Sequence, residues 1–290
     1  MFNWLKKVFT FIKIIVGGKP GRRGTGRQTA WYADFAMRQS RGKKRPRNED
    51  SLYADSWQAA WADATTTAGL YLVADGMGGH ANGQLASKTA MVVFTEDFKA
   101  MLPSINQEDG LMEPAKVDAS LRQAILTAHQ AVQQRVPGGG TTLTAVYLQD
   151  GQAWFIHAGD SRAYLFPPGG EPRQITTDHS LVQRLVESGQ LFPERAALDP
   201  RRNILYRALG QAETFLPDSG SLPIPSGSTL LLCSDGLWGS VSLAKISELL
   251  AGEDALQLKA NRLVDAANQA GGPDNISVCL VTCWQEDTRR

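Results

Sequence analysis

The chain alternates between short apolar runs, each broken by Gly, Ser or an acid, and longer stretches in which apolar residues recur every three to four positions. The runs predict strands at about 31–37, 50–54 and 70–75, with the polar, Thr-rich stretch 62–68 as the loop before the third. Two helical stretches follow near 82–101 and 115–136, the second with Val117, Leu121, Ala124, Ile125, Ala128 and Val132 along one face. Pro103 and Pro114 bracket the loop between them. After a glycine turn at 138–140, strands at 141–149, 152–158 and 161–166, separated by DG and GD turns, predict an antiparallel meander. Residues 178–210 are less regular, with a short helical pattern over 181–188. A strand at 229–234, helices near 243–250 and 254–270 and a strand at 276–284 close the body. Runs of strands interrupted by paired helices predict two sheets with helices packed outside, an α/β layered sandwich and not a doubly wound parallel sheet. There is no internal repeat.

Before this body, the apolar stretch at residues 2–16 is interrupted by Asn3, Lys6, Lys7, Thr10 and Lys13 at helical spacing, which predicts an amphipathic helix over 1–16. A bilayer span needs ~20 apolar residues, so this helix is too short and too charged to cross. No small-residue cleavage site follows it, which disfavours a secretory signal. Trp4, Phe9 and Phe11 with lysines between them suit a helix lying among lipid headgroups; an ordinary helix packed on the body fits the same pattern. Residues 17–29, rich in Gly and Arg, read as a linker, and 30–285 as the folded domain.

Charge sharpens that division. Thirteen Lys and Arg face one acid in residues 1–47, and seventeen face twenty-eight afterwards. A basic leader on an acidic body either meets an anionic surface, a membrane or nucleic acid, or is simply solvated; the acidic body suits the holding of metal. At 290 residues, one large domain with a tail is expected. Cys233, Cys279 and Cys283 are few and mostly inside apolar strand patterns, which argues against a disulfide framework and for a reducing cytoplasm.

The chemistry sits where apolar runs meet acids: Asp75 in YLVADG, Asp160 in FIHAGDS and Asp235 in LLLCSDG follow their strands, Asp274 in GGPDNISV precedes its strand, and Glu49 and Asp50 lie in NEDS. Any one of these is an ordinary turn former or helix cap. Several converging at the mouths of buried strands would repel one another and resist desolvation unless a cation compensates them. Oxygen donors without matching His or Cys select a hard cation, Mg²⁺ or Mn²⁺, and the chemistry implied is metal-assisted hydrolysis.

In order and spacing, the segments RPRNEDS, VADGMGGHANGQLAS, GGTTLTA, HAGDSRAYL, TTDHSLVQ, LLLCSDGLW and GGPDNISV resemble the metal-dependent protein phosphatases of the PPM class, also called protein phosphatase 2C, in its compact bacterial form. The resemblance covers about Ala30 to Cys283. It implies an α+β fold, a four-layer α-β-β-α sandwich of two mainly antiparallel sheets flanked by helices, with two Mn²⁺ or Mg²⁺ ions in a cleft at one end. By the same resemblance Asp75 bridges the ions, Asp235 and Asp274 complete one, Glu49 and the carbonyl of Gly76 complete the other, and Asp160 with Asp235 matches a third, weaker site. Asp50 and Asn275 match residues that orient metal-bound water and the ligands, and Arg45 matches the phosphate-binding arginine, with Arg47 as its rival in the same segment. Thr142 matches a family threonine near the metals, and 179–210 corresponds to the variable flap beside the cleft. Where eukaryotic-type members carry a His after the DG pair, proposed as general acid, this chain has Met77; His80 and metal-bound water are the alternatives.

Two such cations lower the pKa of a bridging water from 15.7 toward ~7 and clamp the phosphoryl oxygens during in-line attack, so no phosphoenzyme is required. The expected enzyme is a monomeric phosphoserine/phosphothreonine phosphatase in the cytoplasm or peripheral to the inner membrane face, with phosphorylated proteins and a bacterial Ser/Thr kinase as partners and no specific nucleic acid. A silent phosphoprotein-binding regulator and a metal-dependent phosphohydrolase of nucleotides are its rivals.

Overall fold

In a computed structural model, residues 29–61, 64–78, 81–102, 112–196, 198–211 and 215–287 are described; the amphipathic helix expected over 1–16 and nearly all of the linker lie outside them. The strands are β1 (Thr29–Ser40), β2 (Ser51–Trp61), β3 (Ala64–Ala74), β4 (Gly76–Met77), β5 (Gly140–Thr141), β6 (Leu143–Gln149), β7 (Gln152–Ala158), β8 (Arg162–Phe166), β9 (Arg173–Gln174), β10 (Asp218–Pro223), β11 (Ser228–Cys233) and β12 (Ile276–Asp287). The helices are α1 (Ala81–Met101), α2 (Pro114–Arg135), α3 (Leu181–Glu187), α4 (Pro193–Ala196), α5 (Asp235–Trp238), α6 (Leu243–Leu250) and α7 (Leu256–Gln269).

Two five-stranded antiparallel sheets result, one ordered β1-β12-β11-β8-β9 and the other β10-β7-β6-β3-β2. Because side chains alternate across a strand, adjacent residues serve different layers. On β3, Tyr71 and Val73 face the other sheet, where they meet Leu230 and Leu232 of β11 and Cys279 and Val281 of β12. Their neighbours Leu70 and Leu72 pack outward on Phe94, Phe98, Leu121 and Ile125 of α1 and α2. The second sheet mirrors this, with Leu231, Val278 and Leu280 under Ile246, Leu263 and Val264 of α6 and α7. The outcome is the expected four-layer α-β-β-α sandwich. The apolar face predicted for α2 is buried throughout, and all three cysteines are buried and free. No helix among the described residues is long and apolar enough to cross a membrane.

Two expectations are corrected. The stretch 62–68 is not a loop: β3 begins at Ala64, and Thr65, Thr66 and Thr67 pair with Ala60, Ala59 and Gln58, since a β-branched threonine suits a strand whatever its polarity. The three strands after Gly140 are not a single meander. β6 and β7 form a hairpin, but β8 joins the other sheet against β11. Gly159, at φ +113°, makes the crossover; a side chain there would also strike Thr142. Strand β10 was missed altogether, because an edge strand of sequence DSGSLP needs bonding on one side only, here to β7.

The register gathers the acid-bearing ends. Ser51 pairs with Ala74, Leu143 with Ala158, and Cys233 with both Arg162 and Val278. Residues 49–50, 75, 160, 235 and 274 therefore leave their strands at the same end of the sandwich.

Candidate active site

At that end lies a cleft of about 620 Å³ lined by Arg45, Pro46, Arg47, Glu49, Asp75, Gly76, Met77, Thr142, Asp160, Asp235, Asp274 and Asn275, with Asn203 and Leu205 on the flap side. Asp75 extends from β3 and is fixed by Thr142, whose hydroxyl accepts from the Asp75 amide (2.9 Å) and whose own amide donates to the Asp75 carbonyl (2.8 Å). Thr142 also meets Ser161 at 2.7 Å, so one threonine ties the Asp75 end of one sheet to the loop that carries Asp160. Gly76 has no room for a side chain: a Cβ would lie 2.1 Å from the Gly83 carbonyl and 2.6 Å from that of Glu49. Glu49 thereby sits against the start of α1, with its amide bonded to Asn275 Oδ1 (2.8 Å).

Asn275 is the second organiser. Its Nδ2 donates to the carbonyls of Arg41 (2.9 Å) and Arg47 (2.7 Å), which closes the loop that leads into Glu49 and Asp50. Asp50 is buried; its Oδ2 accepts from Ser234 (2.8 Å) and Ser277 (2.6 Å), while its Oδ1 has no partner. Asp235 Oδ1 is likewise buried and unpartnered. Asp274 is held on both oxygens, by the Asn275 amide (2.8 Å) and by Arg45 Nη2 (2.7 Å).

The electrostatics follow from burial without compensation. Desolvation above all, and then the charges of Asp50, Asp235, Asp160 and Asp274, push Asp75 far above the usual carboxylate range. Burial, with Asp235 and Asp178, does the same to Asp160 against the opposing pull of Arg162. Burial raises Asp50 to about 7 despite its two serine donors, and raises Asp235 to about 6 with Asp274 adding to the rise while Asp75 and Arg45 restrain it. Arg45 is raised above its ordinary value, chiefly by its bond to Asp274.

A hard divalent cation fits this donor set: every side-chain donor is oxygen, two buried carboxylate oxygens lack partners, and the raised carboxyls need positive charge to ionise at neutral pH. Among the described residues no three acidic, His or Cys side chains already form a closed ligand set. Asp274, for one, is engaged by Arg45, so ligation entails release of that ion pair.

The structure brings Arg45, Glu49, Asp75, Gly76, Asp160, Asp235, Asp274 and Asn275 to one cleft and places Asp50 in its floor behind Ser234 and Ser277. Arg45 and Arg47 both line the cleft, and Arg45 alone of the two reaches a carboxylate there. Met77 lines it as well, and His80 lies outside the described residues. Sequence reasoning missed Ser234 and Ser277, whose signal was a small polar residue inside otherwise apolar runs, and His179. The His179 ring accepts from the Gly159 amide (3.1 Å) and meets Asp218 (3.1 Å), which Arg207 also engages (2.6 Å), so the flap is tied to the Asp160 loop. His157 is a core residue, with Nε2 3.1 Å from the Thr177 carbonyl.

Residues 41–269 match the family model described as protein phosphatase 2C. The chain is 38% identical over 221 residues to protein phosphatase PhpP of Streptococcus pneumoniae, covering 75% of this chain and 87% of that protein. Among solved structures it is similar to the catalytic domain of the serine/threonine protein phosphatase PstP in complex with two manganese ions, at 32% identity and TM-score 0.71 over 88% of this chain and all of that one. It is also similar to PppA, a regulatory component of the type VI secretion system of Pseudomonas aeruginosa, at 27% identity and TM-score 0.71 over 89% of this chain and all of that one.

Proposed function

This chain belongs to the protein phosphatase 2C family, and we propose that its acidic cleft hydrolyses phosphoserine and phosphothreonine in proteins with Mn²⁺ or Mg²⁺, opposing a bacterial Ser/Thr kinase. The observation that carries this reading is the convergence of Glu49, Asp75, Asp160, Asp235 and Asp274 on one cleft where, among the described residues, Arg45 is the only lining cation in an ion pair. In this reading Asp75, Asp235 and Asp274 would hold one ion, Asp75, Glu49 and the Gly76 carbonyl a second, and Asp160 with Asp235 a third. When bound, the cations polarise the phosphoryl oxygens and acidify the attacking water.

The chain's own groups do the rest. Arg45 presents a planar guanidinium to the dianionic phosphate, a contact that competes with its bond to Asp274. Asp50, locked at Oδ2 by Ser234 and Ser277, offers its free Oδ1 as a fixed acceptor that orients water. Asn275 holds the Arg41–Arg47 loop and the Glu49 backbone in register with Asp274. Thr142 keeps Asp75 and the Asp160 loop together.

Turnover of a phosphothreonine peptide with Mn²⁺, its loss to chelator, and inactivity toward nucleotides and DNA are the expected results. A chain that binds the peptide but never turns it over is the silent regulator; one that prefers nucleotides is the other phosphohydrolase. The basic leader at residues 1–28 supplies peripheral attachment to anionic membrane in this reading. Full-length protein should sediment with anionic vesicles at low salt and the chain lacking residues 1–28 should not.

A further inference from the structure

Three basic side chains at the cleft's rim, Lys43, Lys44 and Arg47, have no part in holding metal or the reacting phosphate in this reading. Residues 41–47, RGKKRPR, carry five cations. Arg45 turns inward to Asp274, and Arg41 directs its Nη1 to the Pro46 carbonyl (3.4 Å). Lys43, Lys44 and Arg47 are exposed, and among the described residues their side chains make no ion pair or hydrogen bond. The backbone beneath them is fixed. Asn275 clamps the carbonyls at both ends of the segment, and the amides of Lys43 and Lys44 both donate to the Gly272 carbonyl (2.8 and 3.2 Å). The clamp that positions Glu49 and Asp50 thus also holds these three cations on one ordered backbone, and like charges held side by side repel one another without helping the fold.

Pro46 and Arg47 line the cleft together with Arg45, and Lys43 and Lys44 precede them on the same clamped backbone, so the segment runs along one edge of the place where a phosphorylated side chain enters. An extended peptide advances about 3.3–3.6 Å per residue, so residues two to four away from an anchored phosphoresidue reach roughly 7–14 Å from it, outside the cleft. On the reading of the cleft as a protein phosphatase site, we propose that Lys43, Lys44 and Arg47 recognise anionic side chains flanking the phosphorylated residue, so that the preferred substrates are phosphoproteins whose phosphosites lie in acidic sequence. The partner's charge is dictated by the rim; carboxylates and a second phosphate satisfy it by the same chemistry.

The test uses full-length protein and its Lys43→Ser/Lys44→Ser variant, which keeps the backbone amides and leaves the cleft residues untouched. Two phosphothreonine peptides that differ only in acidic or neutral flanks are compared with p-nitrophenyl phosphate, all with Mn²⁺. The wild type should favour the acidic peptide by about tenfold in kcat/KM, through KM, and the preference should collapse between 50 and 300 mM salt. The variant should lose most of that preference, with Arg47 keeping the remainder, and hydrolyse p-nitrophenyl phosphate at the wild-type rate. A third peptide with a second phosphoserine in place of the carboxylates identifies which anion binds better; a preference for either over the neutral peptide supports the rim. Equal treatment of acidic and neutral peptides by the wild type, or an unchanged preference in the variant, overturns the proposal. So does a variant whose only defect is lost binding to phosphatidylserine vesicles. Failure to turn over any of these compounds would sink the phosphatase reading instead, and fluorescence anisotropy of the same peptides would still decide the rim.

Discussion

Two sets of carboxylates held away from bulk solvent solve the same problem differently. Asp178 is buried beside its own cation: Arg162 grips it with Nε (2.9 and 3.2 Å) and Nη2 (2.7 Å), and the guanidinium is stacked 3.6 Å from the centre of the Trp238 ring. Asp50 and Asp160 are as deep, Asp75 and Asp235 are half-buried in the cleft, and the raised pKa values of all four record that the protein supplies them too little positive charge. The first arrangement is closed and serves the fold. The second is left open at the cost of stability and takes its compensation from solution, as expected where structure is traded for chemistry. Trp238 joins the two, since its Nε1 donates to the Asp160 carbonyl at 3.0 Å.

That contrast breaks most sharply at Asp75. Asp75→Asn should lower Mn²⁺-dependent turnover of a phosphothreonine peptide by about a thousandfold or more, the equivalent of the several kcal/mol that bound cations contribute. In chelator the same variant should melt no lower than wild type, and higher if the uncompensated charge is destabilising; a marked drop in the metal-free Tm would make Asp75 a structural acid like Asp178.

Arg162→Met is the reciprocal change. It strands a buried carboxylate, so urea unfolding should show a loss of about 3–5 kcal/mol, the same with and without Mn²⁺. Replacing both partners, Arg162→Met with Asp178→Leu, should recover most of it. Recovery by Mn²⁺ in the single variant would show that Asp178 belongs to the cation set after all.

Arg45 belongs to both sets, paired with Asp274 in a half-exposed bridge yet facing the cleft. Arg45→Ala should raise KM for the peptide by about ten- to a hundredfold, the range for a hydrogen bond to a charged group, with little change in the Mn²⁺ concentration needed for activity. If the Mn²⁺ requirement moves more than KM, the arginine organises Asp274 and does not bind phosphate.

The open set was legible in the sequence and the closed one was not. Asp75, Asp160, Asp235 and Asp274 announce themselves because a charge at the end of a Val- and Leu-rich run has no purely hydrophobic explanation. The layered sandwich was readable from the same runs, but the transfer of β8 to the opposite sheet was not, since Gly159 resembles an ordinary turn glycine until its φ of +113° is known. Nor did the sequence separate Asp178 from the cleft acids by its neighbours: Arg162 lies sixteen residues earlier, and only the pairing of β8 with β11 and β9 brings the two together. Ser234 and Ser277 were silent because a buried serine that fixes an acid looks the same as one that ends a strand.

The smallest effect is also the most direct readout of the open set. A carboxyl whose folded pKa is raised binds more protons folded than unfolded across the interval between the two values, so the folded state gains stability as pH falls and loses it as pH rises through the folded pKa. With Asp50 at about 7 and Asp235 at about 6, and Asp75 and Asp160 raised as well, metal-free protein should become more stable between pH 8 and 6.5, by an amount on the order of a kcal/mol or more. Buried His157, lowered to about 3 by desolvation, and His179, lowered by the same cause, act with the opposite sign: the unfolded chain takes up protons near 6.5 that the folded chain refuses, which reduces the gain without reversing it, because the raised carboxyls outnumber them. Denaturation midpoints in chelator across this range test the sign, and saturating Mn²⁺ should abolish the rise, because ionised ligands then no longer lack a countercharge. A metal-free midpoint that falls from pH 8 to 6.5 would mean that the cleft acids are compensated from within, as Asp178 is.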